Sequence, residues 1–137
     1  MLAPKRNMLK ISFSSIPENI RQIEPFLNEC RCNCPIQEER YKDILLVLTE
    51  AVNNGIRHGN SLNPQKNVTV EFHNDARAFH FKVSDEGSGF NPQGVADPTQ
   101  GPNLAEPNGR GVFLMHALSD QVKYTNNGRS VNLKFRY

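Results

Sequence analysis

The stretch from Leu45 to Asn60, LLVLTEAVNNGIRHGN, constrains this chain more than any other. Ile44, Leu48, Ala51, Val52 and Gly55 recur at steps of three and four residues, which puts them on one face of a helix. Glu50, Asn54 and His58 stand four apart and stack over about two turns on a neighbouring face. A solvated rim would explain three polar residues there. A carboxylate, an amide and an imidazole in line beside a buried stripe are unusual for a helix that only packs, and the motifs that follow decide between the two accounts.

With 137 residues the chain is long enough for one core and too short for two, so a single domain over 1–137 is expected. A hydrophobic share of 37% and a charged share of 22% describe an ordinary globular protein. The net charge of +2 comes from nearly balanced signs, and Lys5 and Arg6 form no basic stripe, so direct nucleic-acid binding is not expected. A membrane span needs roughly 20 consecutive apolar residues, and the start, MLAPKRNMLKISF, lacks the apolar core of a signal peptide. No membrane association and a cytoplasmic location follow as expectations. Cys30, Cys32 and Cys34 in RCNCP are odd in number and alternate, which suits neither a disulfide framework nor paired zinc ligands. They read as reduced thiols in a loop.

In chain order, Met8–Ser14 alternates apolar and polar residues and reads as a half-buried strand at a sheet edge. Pro17 and Glu18 suit the first turn of a helix carrying Ile20, Ile23, Phe26 and Leu27, with Pro25 predicting a break or kink near its middle. The cysteine loop, closed by Pro35, precedes the central helix, expected from about Gln37 to His58 and stopped by Gly59 and Asn60. Val68–Phe72 and Ala78–Val83 alternate and form a hairpin. From Gly87 to Gly111 the chain has six glycines and four prolines, too long for a simple connection and suited to a lid over about 90–110. A short helix over Val112–Leu118 follows. Gln121–Thr125 and Ser130–Phe135 then close a second hairpin around Asn126-Asn127-Gly128, where positive φ is expected. This order predicts an α+β fold: one mixed, mostly antiparallel sheet with helices on one face.

Asp85-Glu86-Gly87-Ser88-Gly89-Phe90 comes directly off the Ala78–Val83 strand. A strand often ends in Asp and glycines merely to turn. An ionised carboxylate, however, accepts hydrogen bonds only, so Asp85 suits an exocyclic amine such as that of adenine. The missing side chains at Gly87 and Gly89 would let a flat base lie against the backbone. Gly109-Arg110-Gly111 opens the next helix, where free N–H groups and close backbone approach make an anion site. Here too the glycines alone would serve as hinges. The chain contains no P-loop signature, and the dinucleotide fingerprint fails for want of a parallel strand and a third glycine.

Taken in order, E-x₃-N-x₃-H-G, D-x-G-x-G-F and G-R-G-x-x-L-M resemble the N, G1 and G2 boxes of the GHKL ATPase superfamily. Within it the chain is most similar to the small bacterial anti-sigma-factor serine/threonine kinases, through TEAVNNGIRHGN, VSDEGSGFNP and GRGVFLMHALSDQVKY. The resemblance spans essentially the whole chain. It implies a Bergerat-type two-layer α/β sandwich that binds ATP and Mg²⁺. It also implies Glu50 as general base, Asn54 as the Mg²⁺ ligand and Asp85 as the adenine contact. Gly87 and Gly89 match the G1 glycines, followed by Phe90. Gly109 and Gly111 match the phosphate-contacting G2 glycines, followed by Val112. His58 and Asn60 match supportive positions, and Arg110 is placed within reach of a phosphate.

The activity so implied is ATP-dependent phosphorylation of a small, STAS-type anti-sigma-factor antagonist in a partner-switching pathway. A sigma factor is the second implied partner, and homodimerisation is implied as well. The alternative is a regulatory module that binds nucleotide and sequesters a protein without phosphoryl transfer; a carboxylate at position 50 argues against it, since a pure binder needs no base there. The catalytic piece of a histidine kinase is disfavoured, because the chain has no room for a helix pair carrying a phospho-acceptor His.

Overall fold

A computed structural model describes residues 8–88 and 107–137, with backbone alone at 107–110. Five strands form one sheet: β1 (Met8–Ser14), β2 (Asn67–Asn74), β3 (Ala78–Ser84), β4 (Gln121–Thr125) and β5 (Ser130–Arg136). Their spatial order is β1-β2-β3-β5-β4, and all four pairings are antiparallel. β1 lies at an edge, as its alternation predicts. The period-2 pattern sends Phe13, Val68, Val70, Phe72, Phe79, Phe81, Val83, Val131, Leu133 and Phe135 to one buried face. Register then stacks apolar residues across the strands, with Phe81 opposite both Phe72 and Leu133. On the other face Lys10, Glu71, Lys82, Asn132 and Lys123 stand in one transverse row. One covered and one solvated face is the usual economy of an antiparallel sheet.

The helices cover the apolar face. A 3₁₀ turn over Pro17–Gln22 passes directly into α1 (Ile23–Asn33). Pro25 therefore sits in the first turn of α1, where an absent N–H costs little, and not in the middle of a longer helix. The cysteines depart from expectation. α1 runs through Cys30 and Cys32, and Cys34 caps it, so the segment is helical and not a loop. Cys30 continues the buried stripe of Ile23, Phe26 and Leu27 at helical spacing, acting as a small apolar side chain. The Cys34 thiol donates to the Cys30 carbonyl at 3.3 Å, and burial pushes it up to about 11.

α2 (Glu38–Asn54) follows Gln37 and buries Tyr41, Ile44, Val47, Leu48, Ala51 and Val52 in the core, with the Tyr41 hydroxyl donating to Asn28 Oδ1 of α1 at 2.8 Å. It does not stay α-helical to His58. From Gly55 to Gly59 the chain widens into a π turn, closed by Asn60 N–H to the Gly55 carbonyl at 2.8 Å. Such turns re-aim side chains and recur at functional sites. α3 (Pro107–Leu118) begins five residues before the expected start, with Pro107 as its first residue. Gly109, Arg110 and Gly111 thus lie within α3, not ahead of it, and buried Met115 anchors the helix against α2. The lid assigned to about 90–110 falls outside the described residues up to 106. Among the described residues, no helix is long and apolar enough to cross a membrane.

Candidate functional site

The end of α2, its π turn, the end of β3, α3 and the β4–β5 turn surround a cavity of about 370 Å³. Asn54, His58 and Gly59 line it from the helix and π turn, Asp85 and Ser88 from beyond β3, and Val112 and Met115 from α3. Tyr124, Gly128 and Arg129 supply the fourth side, with Val83 and Val131 as part of the floor. Three motifs far apart in sequence therefore meet at one concave surface with a largely apolar lining and few polar groups, the usual make-up of a small-molecule site.

Glycine is required where these segments touch. A Cβ on Gly59 would lie 2.3 Å from Asp85 Oδ2, and one on Gly87 would lie 1.9 Å from the Gly59 carbonyl oxygen. The π turn and the loop after β3 therefore interlock backbone to backbone. Gly111 is held less strictly: a Cβ there would sit 3.0 Å from Glu50 Oε2 and 3.4 Å from Asn54 Nδ2, side-chain ends that can give way. That contact brings the start of α3 onto the polar ridge of α2, beside a carboxylate and an amide. The first turn of a helix carries unpaired N–H groups and the positive end of its dipole, so this corner favours an anion.

Asp85 lies half-buried in the wall of the same cavity. Its Oδ1 accepts Gly87 N–H at 2.9 Å, and its own N–H donates to the Arg129 carbonyl at 2.8 Å. Burial raises its pKa, while the Gly87 N–H and the charges of Arg129 and Lys66 pull it back. Desolvation wins, so the carboxylate is held above its usual range. Tyr124 is shifted the same way, burial pushing its phenol up.

Of the residues singled out in the sequence, Asn54, His58, Asp85 and Val112 line the cavity. Gly87 is buried behind it, and Glu50 lies against Gly111. Gly109 and Arg110 are placed by backbone alone in the first turn of α3. Gly89 and Phe90 lie outside the described residues.

Gly59 and Arg129 escape sequence reasoning, and Asn60 is expected only as a helix stop in a supportive position. Gly59 is the seat of Asp85. Asn60 is 1% exposed and joins three segments. Its Nδ2 donates to Ser15 Oγ at 2.7 Å and to the Asn67 carbonyl at 3.0 Å, and its Oδ1 accepts Glu86 N–H at 2.8 Å. Arg129, whose Nε donates to the Gly87 carbonyl at 2.8 Å, carries no local signal at all. The H-G-N run after a polar ridge was the available cue for Gly59 and Asn60.

The chain belongs to the histidine kinase-like ATPase domain family, whose sequence profile matches residues 13–135. The five-stranded sheet with helices on one face is the α+β architecture expected for such a domain. Among its relatives are two proteins named serine-protein kinase RsbW, from Listeria innocua serovar 6a and Listeria monocytogenes serovar 1/2a. Each is 23% identical to this chain, over 95% of its length and 87% of their own.

Proposed function

We propose that this chain is an ATP-dependent serine/threonine protein kinase of the anti-sigma-factor type. One observation carries the reading: Gly111 of α3 lies against Glu50 and Asn54, and Asn54 lines the same cavity as Asp85 and Ser88 of the loop after β3. A nucleotide triphosphate has two ends of opposite chemistry, and the cavity matches both. Asp85 accepts a hydrogen bond from the adenine amine at the apolar end. The first two turns of α3, with Gly109 and Gly111, take the phosphates at the other.

The donor set at that end also fits Mg²⁺, which is satisfied by one amide oxygen together with phosphate and water oxygens. Asn54 would hold it, and its charge would offset the negative charge that builds during phosphoryl transfer. Glu50 sits one turn before Asn54 and beside Gly111. It takes the proton as a substrate hydroxyl oxygen attacks the γ-phosphorus; the bond to the β–γ bridging oxygen breaks, and ADP leaves. His58 lines the same wall and supports the nucleotide from the π turn.

The relatives' name supports a serine acceptor, and we assign the substrate as a small STAS-type anti-sigma-factor antagonist, with a sigma factor as the protein released or retained in exchange. We further propose one domain over 1–137, a homodimer, and a cytoplasmic setting. Incubation with γ-labelled ATP and candidate partner proteins tests the reading. Label on a partner Ser or Thr is expected. ATP binding with no transfer to any partner would favour a regulatory module, and label on His would favour histidine-kinase chemistry.

A further inference from the structure

The turn between β4 and β5 sends one side chain to the loop that follows β3. Asn126, Asn127 and Gly128 all take left-handed φ, at 54°, 57° and 83°. Asn and Gly tolerate that conformation, and the tight reversal delivers Arg129 to the cavity wall. From there Arg129 encloses the segment Asp85–Ser88 on both sides. Its carbonyl accepts Asp85 N–H at 2.8 Å; its Nε donates to the Gly87 carbonyl at 2.8 Å, and its Nη2 reaches the Ser88 carbonyl at 3.4 Å. A guanidinium is a rigid fork of donors with a permanent charge, and hydrogen bonds from it are stronger than neutral ones.

We infer that Arg129 is the positioning residue for base recognition: it pins the Gly87–Ser88 backbone and supports Asp85 as the anion that accepts a hydrogen bond from an exocyclic amine. The inference rests on the nucleotide reading of the cavity. A surface arginine would leave its fork in water. Here two carbonyls of one glycine-bearing loop are taken up, at a carboxylate whose burial works against its charge. Among the described residues, the other charged or titratable groups near Asp85 are Lys66 ahead of β2, Glu86 next in the chain, His58 on the π-turn wall and Tyr124 of β4. Loss of the guanidinium lets burial push Asp85 further up, so ATP binding should fail at a higher pH as the solution is acidified.

Calorimetric titrations of Mg²⁺·ATP and Mg²⁺·GTP into the full chain test this, for the parent, Arg129→Met and Arg129→Lys, beside thermal melts of each. Arg129→Met should melt cooperatively yet bind ATP about tenfold more weakly or worse. Its preference for ATP over GTP should shrink, and its acid loss of ATP binding should move to higher pH. Arg129→Lys should restore the pH dependence and only part of the affinity, because an ammonium cannot span two carbonyls as a fork does. Parent-like affinity and ATP:GTP preference in Arg129→Met overturn the inference. Should that variant fail to fold, parent-like affinity in Arg129→Lys overturns it instead. A parent that binds no ATP removes the nucleotide reading and this inference together, whereas a parent that binds ATP beside an indifferent Arg129→Met removes this inference alone.

Discussion

Asp85, the proposed base contact, shows how a residue placed for binding can cost the fold stability. Burial holds its pKa above the value it has in an unfolded chain. Between those two values the folded state binds more protons, so stability falls as pH rises through that window and the penalty is complete above the folded-state pKa. Asp85→Asn keeps an oxygen for the Gly87 N–H and removes the charge. The variant should melt at or above the parent temperature at pH 7, with the difference vanishing below the ordinary carboxylate pKa, while losing ATP binding. Thermal melts across pH check the first part; a parent that stays more stable than the variant at pH 7 contradicts it. In the proposed mechanism Glu50 and Asn54 divide the remaining work. Glu50→Ala should lower phosphoryl transfer by about 10²–10⁴ with nucleotide binding nearly intact, whereas Asn54→Ala should weaken the Mg²⁺-dependent part of binding. Equal loss of binding in both variants would show that the two side chains do not act separately. The placement of these three side chains near one another is legible in the sequence, because carboxylate, amide and aspartate each have few chemical uses beside glycines. Arg129 is not, because its partners lie 41 and 42 residues away and only the fold brings them to it.

At the scale of elements, the π turn is what joins the helix to the loop after β3. Asn60 closes it by its N–H and then spends its amide on Ser15, Asn67 and Glu86, tying the end of β1, the start of β2 and that loop together. Replacing it by alanine strands buried donors and acceptors, at a cost of about 1–3 kcal/mol. Chemical denaturation should report that loss, and ATP affinity should drop with it because Glu86 adjoins Asp85; unchanged stability would mean the junction is not shared in this way. The strands are all legible to within a residue or two, since one face of the sheet is solvated and the alternation is clean. Helix limits read less well. Pro25 and Pro107 each stand in a first turn, where proline is harmless, yet sequence alone equally allows proline as a break. Cys30 and Cys34 carry no strong helical or loop preference, so tertiary burial decided their place. Nothing in Gly55–Gly59 distinguishes a π turn from an ordinary helix end, because the extra residue is absorbed by contacts with Asn60 and Asp85.

For the whole molecule, the sheet acts as a rigid back, and the site is assembled from what protrudes at one end of it. α2 supplies the ridge, β3 and β5 fix the two turns that meet at Asp85, and α3 closes down over Glu50 through Gly111. Family membership follows from the match over 13–135, and the same architecture accounts for it physically. The central claim is that these protruding parts form a single receptor for one Mg²⁺-bound ATP. Isothermal calorimetry on the intact chain measures that directly. One ATP bound per cavity, weakened when Mg²⁺ is withdrawn and lost in Asp85→Asn, is the predicted result; no heat on adding ATP with Mg²⁺ to folded protein, or binding that is indifferent to Asp85→Asn, would contradict it.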